Sequence, residues 1–242
     1  MNFLATLDWG SIVKIIGVDI MLGVDNAVLI ALACAGLPKE LRMRALLWGT
    51  AGAIGLRAIL LAFAGFVMAI PFVKVVAGLY LLFLGYKLLN DSSEEAEPHV
   101  TASDRVFTAV KTVIIADFMM SLDNVLAVAA AADGAGAHST LYAIAGIVFS
   151  IPVIVFGANV LMGLINKFSI IVWVGAGLLG WVGAEMIFSD AKLESVMAVI
   201  KDAIGDHAHL MLNAGGFAAV ILAVLVAKSI SKAAEGTTSE AK

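Results

Sequence analysis

The 242 residues are 62% hydrophobic and only 14% charged, with a mean hydropathy of +1.02. Soluble domains carry charge near a quarter of their residues, so this composition excludes that class and makes the lipid bilayer the first partner. A small, scattered net charge of -4 argues against nucleic acid, and the lone Cys34 rules out an intrachain disulfide or a cysteine metal box.

Taken in chain order, apolar runs at roughly 11–34, 45–68, 71–89, 106–132, 140–165, 169–189 and 211–230 predict seven helices, each long enough to span. The first run lacks a basic leader, is too long for a removable signal peptide, and contains acids. Polar breaks fall at Leu37-Pro38-Lys39-Glu40, in the acidic stretch 90–104, at 133–140, at Asn166-Lys167 and at 190–209. Pro152 with Ser150 marks a kink in the fifth span. Between the sixth and seventh runs, Leu193, Val196, Met197, Ile200 and Ile204 form an apolar stripe. It predicts a short helix at about 191–205 lying on the outer membrane interface. Of the lysines and arginines near span ends, ten fall on one side and four on the other. That bias puts the N-terminus outside and the C-terminus in the cytosol.

One phrase is written twice. Asp19-Ile-Met-Leu-Gly-Val-Asp25-Asn26 returns as Asp117-Phe-Met-Met-Ser-Leu-Asp123-Asn124, at a constant offset of 98 residues. Residues 19–34 and 117–132 share six of sixteen positions, and Val76, Leu81 and Gly85 fall on Val174, Leu179 and Gly183. A three-helix unit, about 11–89, therefore repeats at about 106–189. Its odd span count turns the second copy upside down, as in transporters with inverted repeats. The expected fold is all-α: one polytopic domain over 1–242, three helices plus three, with a seventh left over.

Each acid at membrane depth costs roughly 2.5–3.5 kcal/mol unless it pairs, hydrates or holds a cation. On an ideal helix Asp19 and Asp25 project about 120° apart with ~9 Å of rise, so one copy cannot close both around an ion. Two arrangements could. Either the partner carboxylate comes from the other repeat, or the helix breaks near Gly23 and Ser121 and frees carbonyls as ligands. Inversion brings Asp25 and Asp123 near mid-bilayer, with Asp19 toward the outside and Asp117 toward the cytosol.

Carboxylates and amide oxygens from Asn26 and Asn124 suit hard divalent ions, and Met21, Met119 and Met120 beside them favour a softer one. Mn2+ is the compromise, with Ca2+ and other divalents left open. Arg57, near the middle of the second span, reads as a countercharge to one Asp or as a stand-in for the ion. Glu185 reads either as a proton carrier or as a group reaching the interface. Asp206-His207-Ala208-His209 reads as a solvated loop rather than a metal trap.

Val18-Asp19 through Asp25-Asn26, the echo from Ala116-Asp117 through Asp123-Asn124, and Gly180-Trp-Val-Gly-Ala-Glu-Met186 resemble the TerC family, in its YjbE-like branch within the LysE-like exporter superfamily. The resemblance covers Trp9 to Met186. It implies a seven-span inner-membrane protein linked to manganese efflux and, in some members, to tellurium resistance. Asp19, Asp25, Asn26, Asp117, Asp123 and Asn124 are the positions it carries over.

The sequence thus predicts a divalent-metal exporter rather than an enzyme, driven by protons or membrane potential, since no Walker motif is present. A membrane partner that inserts or metal-loads other proteins is the alternative. An intramembrane aspartyl protease fits less well, because Leu22-Gly23-Val24-Asp25 lacks a glycine directly before its acid. Whether the chain forms a homodimer stays open.

Overall fold

The computed structural model describes residues 26–91, 101–133, 139–165 and 167–240, with no strand among them. The described part of the first helix, α1, is Asn26–Ala35. There follow α2 (Lys39–Ala62), α3 (Ala64–Met68), α4 (Val73–Asp91), α5 (Ala102–Asp133), α6 (Ser139–Ile165), α7 (Ile170–Phe188), α8 (Glu194–Ile204) and α9 (Ala208–Glu240). A 3-10 turn, Ala191–Leu193, leads into α8. Helices satisfy their backbone hydrogen bonds internally, which lipid demands.

Segments of α4, α7 and α9 (Val73–Asn90, Ile170–Phe188 and Ala208–Ser231) are both long and apolar enough to cross a bilayer. With 24, 32 and 27 residues, α2, α5 and α6 also exceed the ~20 residues a span needs. Helix α5 carries the motif acids Asp117 and Asp123 in mid-length, and α2 opens on Lys39, Glu40, Arg42 and Arg44.

Several boundaries differ from the sequence expectation for physical reasons. The run 45–68 is two helices, because Phe63 leaves helical geometry (φ -109°, ψ 14°) between α2 and α3. At the other end, α2 begins at Lys39. Arg42 there donates from Nε to the Leu37 carbonyl and from Nη2 to the Ala35 carbonyl, both at 2.8 Å, closing the carbonyl end of α1. Helix α5 starts at Ala102 rather than 106. Thr101 Oγ1 accepts from the Asp104 amide at 3.2 Å and donates to Asp104 Oδ2 at 2.6 Å, a reciprocal cap spelled Thr-x-x-Asp. Pro152 lies inside α6 without ending it. His209 belongs to the first turn of α9, which starts at Ala208.

The helices sort into two compact units. The first contains α1, α2, α3, α5 and α6, and the second contains α4, α7, α8 and α9. Each unit therefore draws on both halves of the sequence.

In the first unit α2 and α5 run parallel: Gly49 meets Val113, Gly52 meets Ile114, and Arg57 meets Asp117. A methyl on Gly49 would come 3.1 Å from Val113 Cγ1, so the two axes lie close because side chains are missing there. Helix α6 touches α1 where Gly157 faces Ala27.

The second unit is built on antiparallel glycine contacts. A Cβ at Gly183 would stand 2.7 Å from the Gly78 carbonyl oxygen, and one at Gly85 would stand 2.8 Å from the Ala176 carbonyl oxygen. Between α7 and α9, Gly180 and Gly216 each face the other's carbonyl, and Lys228 Nζ lies 5.1 Å from the centre of the Trp173 ring. Helix α8 buries Met197 and leaves Val196, Val199 and Ile204 exposed.

Candidate functional site

Helix α5 is continuous through the second copy of the duplicated motif, so the helix break at Ser121, one of the two arrangements the sequence left open, does not occur. The reason lies in what Ser121 does. Its Oγ donates to Asp117 Oδ2 at 3.2 Å, one turn back on the same helix face, and accepts from Arg57 Nε at 3.0 Å. Arg57 Nη2 donates to Asp117 Oδ1 at 2.9 Å. These three side chains close a triangle between α2 and α5. The ion-paired side chains are 5% and 7% exposed, and Ser121 is fully buried.

Arg57 is thus ion-paired with one of the motif acids, which both of its sequence readings allow. The small residues at Gly49 and Gly52 let α5 approach α2, and two turns further along α2 the long guanidinium reaches Asp117. Removing one member of a buried ion pair costs about 3–5 kcal/mol, because the other charge is left behind. The same pair replaced by apolar groups is often neutral, so its presence speaks for use rather than for stability.

The remaining predicted residues divide by location. Asn26 is buried, 1% exposed, at the described start of α1. Met120 is buried and Met119 half-buried on α5. Asp123 and Asn124 belong to the same continuous helix, but their side chains lie outside the described residues. Asp19, Met21 and Asp25 also lie outside the described residues, as does Gly23. Among the described residues no three His, Cys, Asp or Glu side chains are grouped to hold a metal, the loop histidines included. Glu185 lies in the second unit, exposed near the end of α7, and accepts from Asn213 Nδ2 at 3.5 Å.

Ser121 was visible in the sequence only as the counterpart of Gly23, and two further polar residues went unremarked. Asp190 is a buried carboxylate whose Oδ1 accepts from the Lys192 amide at 2.9 Å, while Oδ2 accepts from the Lys74 amide at 3.2 Å and the Val75 amide at 3.4 Å. It thus caps the 3-10 turn and the first turn of α4 together. Thr50 is buried on α2, seven residues before Arg57 and on its face, with no hydrogen-bond partner for its hydroxyl among the described residues.

Comparison with known proteins places this arrangement. Residues 4–235 match the model of the integral membrane protein TerC family. The chain is 39% identical over 188 residues to the uncharacterized membrane protein YjbE of Bacillus subtilis, covering 78% of this chain and 84% of that protein. It is 24% identical over 257 residues to YkoY of the same organism, an uncharacterized membrane protein, covering 100% and 79%. A more distant relative is the UPF0053 protein YegH of Escherichia coli, 23% identical over 197 residues, 74% of this chain and 36% of that one. No solved structure matches the chain. The chain is a multi-pass integral membrane protein that belongs to the TerC family.

Proposed function

We propose that this protein is a secondary exporter of divalent cations, with Mn2+ as its principal substrate, in the inner (plasma) membrane. The observation that carries this reading is Asp117. A carboxylate 5% exposed in the interior of a 32-residue membrane helix is costly, and its motif is written a second time in the chain. With α5 unbroken at Ser121, the partner carboxylate for an ion comes from the other motif copy rather than from freed carbonyls of this one.

Seven spans in two inverted repeats are part of this reading. One contact pattern supports the repeats: the pair Gly78–Gly183, moved by the 98-residue offset, becomes Ala176–Gly85, which is the second close contact of the α4–α7 pair. A twofold relation between third helices predicts that self-image. The N-terminus then faces outward and the C-terminus the cytosol.

In the proposed cycle Asp25 and Asp123 hold the ion at mid-bilayer and Asn26 and Asn124 complete its oxygen shell. Asp117 serves the cytosolic step and Asp19 the outer step, and a proton arriving on one carboxylate releases the ion. Met119 and Met120 beside the acids favour Mn2+ over Mg2+ and Ca2+. Uptake of radioactive Mn2+ into inside-out vesicles carrying the purified protein tests this. Wild type accumulates the ion and the double variant Asp25→Asn, Asp123→Asn does not; uptake surviving in the variant would overturn the assignment.

A further inference from the structure

The polar triangle has no image in the other repeat. Moved by the 98-residue offset, Asp117 falls on Asp19, but Arg57 falls on Val155 and Ser121 falls on Gly23. The motif acids are duplicated, whereas the cation that meets one of them, and the hydroxyl that orients it, are not. A residue needed only to tolerate acids in lipid would be expected on both copies.

We infer that Arg57 is a tethered counter-cation that holds Asp117 while the transported ion is away and is displaced from it when the ion loads. This rests on the transport reading above. The guanidinium already occupies the face of Asp117 where a cation would bind, at 2.9 Å from Oδ1, and its Nε is steadied by Ser121 at 3.0 Å. It supplies one positive charge against the two of a divalent ion, and the ion gains further carboxylates, so the exchange favours the ion when it is present. When the ion has left, the flexible arginine stem returns the guanidinium, and the empty protein is spared a buried carboxylate without compensation. Arg57 thus acts on the return of the empty carrier and is not itself a ligand.

The test separates two modes of transport in liposomes containing the full chain. Exchange of radioactive Mn2+ for Mn2+ never visits the empty state, whereas net flux requires it. For Arg57→Gln, exchange stays within about threefold of wild type while net flux falls about tenfold or more, the scale of one charge-assisted hydrogen bond. Arg57→Lys keeps the charge and retains most of the net flux. Equal losses in both modes would overturn the counter-cation role. Should Arg57→Gln fail to fold, Ser121→Ala loosens the guanidinium instead, and the apparent Mn2+ affinity rises by about threefold; an unchanged or weaker affinity would overturn it. A wild type silent in both modes would sink the transport reading itself, which an active wild type with proportional losses would not.

Discussion

Two helix pairs in this molecule are held together in different ways. Between α2 and α5, in the first unit, the junction is polar: Arg57, Asp117 and Ser121 bond to one another in a buried triangle. Between α7 and α9, in the second unit, Gly180 and Gly216 bring backbone against backbone, and Phe217 covers Gly177. Lipid tails are as apolar as leucine, so helices gain little from burying apolar surface against each other, and close packing of small residues provides the adhesion instead. The α7–α9 pair keeps its charged side chains, Glu185 and Lys228, out of the fully buried contact and packs backbone against backbone between them. The α2–α5 junction differs in burying its charges, an ion pair whose replacement by apolar groups is often neutral for stability.

Perturbations of the two junctions should differ in kind. Asp117→Ala strands the Arg57 guanidinium and is expected to cost about 3–5 kcal/mol in unfolding measured in detergent. The apolar double variant Arg57→Met, Asp117→Leu should recover most of that loss while remaining inactive. If the double variant is as unstable as the single, the triangle is structural cement and the contrast between the junctions fails. Gly180→Val pushes a side chain onto the Gly216 backbone and onto Val220, and over-packing of this kind costs about 1–3 kcal/mol. Its transport should fall only as far as the folded fraction falls.

Asp190→Ala removes the cap from α4 and should cost about 1 kcal/mol, visible as faster amide exchange at Lys74 and Val75. The smallest effect concerns Phe72, a non-glycine residue at φ 61° just before α4. Phe72→Gly relieves the left-handed backbone and should stabilise the protein by ~1 kcal/mol or less, read as a raised midpoint of thermal unfolding.

Much of this was legible before any coordinates. Long apolar runs gave the helices, because in a membrane length and hydropathy carry most of the signal. Arg57 could be matched to an Asp because an unpaired guanidinium at that depth is so costly. A break at Ser121 was one of two arrangements the sequence left open, and it is absent for a physical reason: a serine one turn after an aspartate can bond to it and leave the helix intact. The early start of α5 was spelled in Thr101-x-x-Asp104, a cap that apolar counting passes over. The cap that Asp190 places on α4 was unreadable because the Lys74 and Val75 amides lie more than a hundred residues away in sequence.

The claim on which most depends is that acids from the two motif copies grip one ion together. Mn2+ binding to the purified protein, followed by the loss of the free-ion electron paramagnetic resonance signal, addresses it directly in Asp25→Asn, Asp123→Asn and the double variant. Shared ligation predicts that each single change weakens binding about a hundredfold and that the second adds little, a strong non-additivity. Losses that simply add, or two sites titrating independently, would contradict the account.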